Sequence, residues 1–175
     1  MKKANSVIIS ENIRIRCPEQ FCVEDHSVVD DFCYFSTKVK IGQYCHIASN
    51  CTVAGGKDYT FEIGDFSSLS SGVRIYCTSN DYVNGLVCLL SAELKDIEDN
   101  ITAGDVVLGK YTGVGANTVI MPNNRIPEGT TIGALSFVPV NFPFLPWSVY
   151  AGTPIKLIKK RNQLQPAKAG SMLGI

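Results

Sequence analysis

The chain has 175 residues, 45% of them hydrophobic and 18% charged, the balance of one folded domain; a disordered or low-complexity protein is excluded. Sixteen basic residues offset sixteen acidic ones, so the totals ask for neither nucleic acid nor an anionic membrane. The first apolar run, Val7 to Ile9, is too short for a signal-peptide core or a membrane span, and a cytoplasmic location is expected.

Stepping by six from Val23 reaches Val29, Phe35, Ile41, Ile47 and Val53. The same step links Ile63, Leu69 and Ile75, and then Leu108, Val114, Ile120, Ile126, Ile132 and Val138. Four places after each large residue stands a small or slim one, such as Ser27, Cys33, Cys45, Cys51, Ser67, Ser79, Thr112 and Thr118. Both positions are expected to face inward. Cys33, Cys45 and Cys51 are then packing residues rather than reactive ones. The seven cysteines form no CxxC pair and no Cys/His zinc spacing, so no metal site is expected.

A glycine often follows the large residue (Gly42, Gly64, Gly109, Gly115, Gly133), as suits a corner where a side chain would obstruct or φ is positive. Each hexad reads as one short strand and one corner, and such units bury a face only by stacking. The fold expected is an all-β solenoid over residues 1–148, its hexads making about five coils. Two segments break the step: Gly55 to Glu62, and a longer protruding loop at 80–107 whose "VCLLS" (Val87 to Ser91) is apolar enough to pack on a neighbour. The extension 149–175 reads as a turn at Gly152 to Pro154, a short basic helix, and a tail fraying beyond Arg161. From Lys156 onward there are basic residues and no acidic one, so an anion is expected there.

A six-residue period of these residue types resembles the hexapeptide-repeat family, whose members coil as a left-handed parallel β-helix. The segment Val149 to Arg161, "VYAGTPIKLIKKR", resembles the "AGxPAKxIxxR" closure of its acetyltransferase branch, with isoleucine at 155 in place of the common alanine. Val106 to Val138 is similar to the last coils of those enzymes, although Asn123 and Asn124 replace the usual Gly-Val. The resemblance implies a homotrimer that carries acetyl-CoA between subunits, held by corner residues Gly115, Ala116, Gly133, Ala134 and Ser136 and by the cations Lys156, Lys159 and Arg161. In sugar and drug acetyltransferases of this fold a stretch like "IYTATH" ends in a catalytic histidine. Here "IYCTSN" places Asn80 there. Ser79, Asp81 and Tyr82 resemble instead the "SDDYSG" of acetyltransferases from surface-polysaccharide gene clusters, which also lack that histidine.

The chemistry narrows accordingly. Asparagine accepts no proton at neutral pH. A hydroxyl acceptor deprived of a positioned base loses roughly 10²–10⁴-fold in rate. An amine with a pKa of about 7.7–8.0 is already roughly one-tenth free nucleophile at pH 7. Asn80 and Asp81 are therefore expected to orient a sugar acceptor with Tyr82 covering it; an amino sugar fits without a further base, whereas a hydroxyl acceptor requires Asp81 or a histidine to act as base, and Asp81 reads equally well as a turn former. Of the two histidines, His46 faces outward near a corner and is the one candidate base, while His26 shares that geometry; two are too few for the zinc carbonic anhydrases of this fold. The reading is an acetyl-CoA-dependent acetyltransferase acting on a nucleotide- or lipid-linked sugar in bacterial surface-polysaccharide biosynthesis. The alternatives are O-acetylation of a finished glycan or small xenobiotic, and a non-catalytic assembly module.

Overall fold

The computed structural model describes residues 1–83 and 101–163. The hexads become strands of two or three residues, and each lies in parallel on the strand three hexads earlier: Val29 beside Ile47, Val114 beside Ile132. Three columns result. The first face stacks Phe21–Val23, the ends of Tyr34–Ile41 and Thr52–Ile63, Val106–Leu108 and Asn124–Ile126. The second stacks Ile8–Ile9, Val28–Val29, His46–Ile47, Ser68–Leu69, Gly113–Val114, Thr131–Ile132 and Ser148–Ala151. The third stacks Arg14–Ile15, the starts of Tyr34–Ile41 and Thr52–Ile63, Arg74–Tyr76, Val119–Ile120 and Phe137–Val138. The chain is a β-solenoid of about six turns.

The large hexad residues fill its axis. Val29, Phe35, Ile47, Val53, Ile75, Ile120 and Val138 have no exposed surface, each such burial worth about 1.5–3 kcal/mol. The slim inward residues do more than leave room. Ser27 Oγ donates to the carbonyl of Gly42 at 2.7 Å, Cys45 Sγ to Gly64 at 3.2 Å and Ser67 Oγ to Gly109 at 3.1 Å, each satisfying a corner carbonyl of the next coil. At Gly64, Gly109 and Gly115 the missing side chain is explained by close approach and not by φ: a Cβ would fall 2.8, 2.7 and 2.3 Å from a backbone nitrogen of the coil above. The left-handed corner positions go instead to residues such as Tyr44, Phe66, Tyr111 and Trp147, at φ of 51–58°. Their rings stack up one edge of the solenoid at centroid spacings of 5.1, 5.3 and 6.1 Å, offsetting the backbone cost.

Four expectations need correction or extension. Lys156–Lys160 is a strand rather than a helix: the turn at Gly152 to Pro154 sends it back antiparallel along Ser148–Ala151, whose upper edge would otherwise have no partner. Ser79 is not inward but half-buried on a hairpin, and Cys77, fully buried, takes the inward place. Gly55 to Glu62 is no detached loop, because Thr52–Ile63 runs as one strand whose register against Tyr34–Ile41 slips between Gly56 and Thr60. An extra coil precedes Val23: Ile9 lies beside Val29 and Ile15 beside Phe35, the step being broken by the 3-10 turn Pro18–Gln20. The "VCLLS" segment lies outside the described residues, as does the tail from 164 on.

Candidate functional site

The second face holds most of the residues proposed for the acyl donor. Cross-strand partners point to the same side, and one outward column runs His46, Ser68, Gly113, Thr131, Val149, Lys159. At about 4.8 Å per step it spans about 24 Å, long enough for an extended pantetheine arm. Between its charged ends the side chains are small. Beside it, at the edge between the second and third faces, Gly115 packs under Ala134 and Gly133 under Ala151, so backbone lies at the surface. The Leu135 amide donates to the carbonyl of Ala116, but among the described residues the amides of Ala116 and Ala134 themselves reach no acceptor. Ser136 differs from its neighbours: it is buried, its hydroxyl donating to Gly133 O at 2.7 Å and accepting from the Gly152 amide at 3.0 Å.

The basic end of this column depends on an irregularity. On a regular strand, residues three apart point to opposite sides. Here the register slips between Val149 and Tyr150, so Lys156 pairs with Ala151 and Lys159 with Val149. Ala151 and Val149 are both outward, their neighbours Tyr150 and Ser148 being buried. The bulge at Ile158 therefore delivers both lysines to the outer side of the second face, above Gly115 and Gly133. Arg161 goes elsewhere. Its Nη1 donates to the carbonyls of Tyr111 at 2.7 Å and Gly129 at 2.9 Å, and its guanidinium lies 5.8 Å from the Trp147 ring centre.

At the lower end His46 Nε2 is 2.8 Å from Asp30 Oδ2, both side chains substantially exposed. Asp30 is a partner the sequence did not single out. His26 does not share this setting: its ring stacks on Tyr44 at 4.7 Å.

The acceptor residues stand on another edge. After Tyr76 the chain leaves the third face, and Thr78–Asn80 pairs antiparallel with Ile101–Ala103, Asn80 opposite Ile101, in a two-stranded stem. Asp81 Oδ1 accepts from the Val83 amide at 2.8 Å, the turn-forming role foreseen for it, and Tyr82 is 79% exposed at the stem's mouth. The stem is braced where Asp105 Oδ1 accepts from the Thr60 amide at 2.8 Å. Leu86 to Leu90, proposed to cover the acceptor, lie outside the described residues. Asn80, Asp81 and Tyr82 thus sit together, but a full face-width from Gly115, Ala116, Gly133 and Ala134 of the same chain. Among the described residues no group of three or more His, Cys, Asp or Glu is placed to hold a metal ion, and no helix is long and apolar enough to cross a membrane.

A stacked β-solenoid with a small-residue face, open corner amides and a cationic end has the architecture of a thioester-dependent acyltransferase. No protein-family model matches the chain. The dTDP-4-amino-4,6-dideoxy-D-glucose acyltransferase of Escherichia coli is 30% identical over 172 residues, 93% of this chain and 86% of that protein. The crystal structure of AntD, an N-acyltransferase from Bacillus cereus in complex with dTDP and 3-hydroxybutyryl-CoA, superposes with a TM-score of 0.87 at 31% identity, covering 98% of this chain and 89% of that one. A variant of AntD has been crystallised with dTDP-4-amino-4,6-dideoxyglucose and coenzyme A. A protein of E. coli K12 named for O-acetyl transfer in lipopolysaccharide biosynthesis is 29% identical over 129 residues, 74% of this chain and 61% of its own length. The chain belongs to the hexapeptide-repeat acyltransferases, and it is an enzyme of that family.

Proposed function

We propose that this enzyme transfers the acetyl group of acetyl-CoA to the amino group of a nucleotide-linked amino sugar, in the cytoplasm, for bacterial surface-polysaccharide biosynthesis. The observation that carries the donor half is the pairing of Lys156 with Ala151 and Lys159 with Val149, which stands two cations at the head of a trough of small residues. The lysines neutralise the donor's phosphates. Gly115 and Gly133 let the pantetheine arm approach the backbone, and the Ala116 and Ala134 amides meet its carbonyls.

The acceptor half rests on the asparagine at position 80, which accepts no proton at neutral pH, and on an Asp81 carboxylate that is turned to the Val83 amide. A sugar amine brings its own lone pair, so positioning supplies most of the rate. In the transfer the amine nitrogen bonds to the thioester carbon, the C–S bond breaks, and the amine proton leaves as the CoA thiol forms. Asn80 and Asp81 orient the amine, Tyr82 covers the sugar face, and a backbone amide facing the thioester oxygen stabilises the developing charge. Relatives that act on dTDP-linked aminodideoxy sugars support this choice.

Because donor and acceptor residues occupy different edges of one solenoid, the reading includes a homotrimer in which the stem of one subunit meets the second face of the next. A hydroxyl acceptor is the second reading, favoured by the His46–Asp30 pair, which offers a base on the donor face. The donor assignment is tested by comparing acetyl-CoA with acetyl-pantetheine, which lacks the nucleotide phosphates. Lys156→Ala with Lys159→Ala should raise KM for acetyl-CoA about 10–100-fold and leave acetyl-pantetheine unchanged; equal effects on both donors would refute it.

A further inference from the structure

Arg161 stands where the family resemblance places a phosphate-binding cation, yet its contacts face inward along the solenoid edge. Its backbone amide donates to Trp147 O at 2.7 Å, and its Nη1 bonds the carbonyls of Gly129 and Tyr111 at 2.9 and 2.7 Å. Those three residues are the same corner of three successive coils. The guanidinium also lies over the Trp147 indole, which in turn tilts against Tyr111 at 6.1 Å. An Arg that spends one nitrogen on two carbonyls and holds its guanidinium over an indole at 5.8 Å is a pin.

What it pins is the lysine strand. Lys156–Lys160 is exposed at all five positions and is the outermost strand of its sheet, held along its length only by its ladder to Ser148–Ala151. That ladder contains the bulge that sets both lysines outward, and a strand that buries neither face specifies its register weakly. The hydrogen bonds of Arg161 begin one residue past Lys160, so they clamp the strand at its free end.

We propose that Arg161, seated on Trp147, is a positioning residue for the acyl donor: it holds the register that presents Lys156 and Lys159, and does not itself contact phosphate. The inference rests on the reading that those lysines bind the donor's phosphates. It gives Trp147 the same functional weight as the arginine.

The test uses the full-length enzyme and compares Trp147→Leu, Arg161→Ala and the Lys156/Lys159 double variant, each checked for a cooperative melt. Trp147→Leu and Arg161→Ala should both raise KM for acetyl-CoA about 5–20-fold, keep kcat within about 2-fold, and leave KM for acetyl-pantetheine unchanged. Trp147→Phe, which keeps a ring under the guanidinium, should restore most of the loss. Adding Arg161→Ala to the double lysine variant should have no further effect on acetyl-CoA. A multiplicative further loss there, or a Trp147→Leu enzyme with unaltered KM, overturns the proposal and makes Arg161 a direct ligand or a purely structural residue. If the double lysine variant itself binds acetyl-CoA normally, the underlying donor reading fails instead.

Discussion

The indole of Trp147 occupies the place where Gly129 would carry a side chain: a Cβ on Gly129 would lie 2.3 Å from Trp147 Cδ2. Gly129 also sits at φ +70°, so the position rejects other residues on two grounds. Gly129→Ala should cost about 1–3 kcal/mol, read as a lower urea midpoint with unchanged m-value, because the ring must shift off Tyr111 and Arg161. An unchanged midpoint would mean that the ring stack contributes nothing.

A second prediction concerns the thiols. Cys77 has its pKa pushed up to about 11 by burial, and burial also raises Cys45. Cys33 and Cys51 donate their thiols to the carbonyls of Ala48 and Ser70, each at 3.3 Å, and both are enclosed in the core. Half-buried Cys17 and Cys22 should therefore react with a disulfide reagent at pH 8 while these four stay protected until the protein unfolds. Peptide mapping after brief labelling checks this, and rapid modification of Cys33 or Cys51 would contradict it.

The third follows from Asp65, whose carboxyl is held below its ordinary range first by the hydrogen bond to Lys110 at 2.7 Å and then by the Gln43 amide at 3.0 Å. A lowered folded pKa contributes stability that is complete above the unfolded value, about 3.9, and is lost as pH falls through the folded value. Asp65→Asn should thus lower the melting temperature at pH 7, with the difference from wild type shrinking as the pH falls below the ordinary carboxylate value of about 3.9. A constant difference across that window would assign the effect to packing.

A fourth separates the two acceptor chemistries. Asp81→Asn keeps a side-chain oxygen for the Val83 amide but removes a base. On an amine acceptor kcat should fall less than about 10-fold, whereas a hydroxyl acceptor that needs the carboxylate would lose about 10²–10⁴-fold. His46→Gln applies the same logic to the His46–Asp30 pair, and a bell-shaped profile that collapses in this variant would favour the second reading.

The solenoid was legible because the six-residue step writes the core directly: Val29 with Ile47, and Val114 with Ile132, are neighbours both in a sequence series and in a physical stack. The first coil was hidden by two residues, since the turn at Pro18–Gln20 shifts the phase between Ile15 and Val23. Lysines three apart, Lys156 and Lys159, suit a helix and a bulged strand equally, and only the unpartnered edge of Ser148–Ala151 decides for the strand. Periodicity carries no information about an edge. Asp30 and Trp147 were missed for another reason, although a His or aromatic three places after Val23, Ile41, Ile63, Leu108 and Phe144 (His26, Tyr44, Phe66, Tyr111, Trp147), with Gly129 after Ile126 as the exception, was there to be read. Reading that series requires knowing that three hexads close one turn.

The central claim, acyl transfer from CoA to a nucleotide-linked sugar amine, is tested most directly by following CoA thiol release from acetyl-CoA with a dTDP-linked aminodideoxy sugar and with its hydroxyl counterpart. The account predicts one thiol released per sugar consumed with the amine, an amide in the product by mass spectrometry, and a rate lower by at least about 10²-fold with the hydroxyl sugar. Turnover of the hydroxyl sugar at an equal or greater rate, or binding of neither sugar, would contradict it.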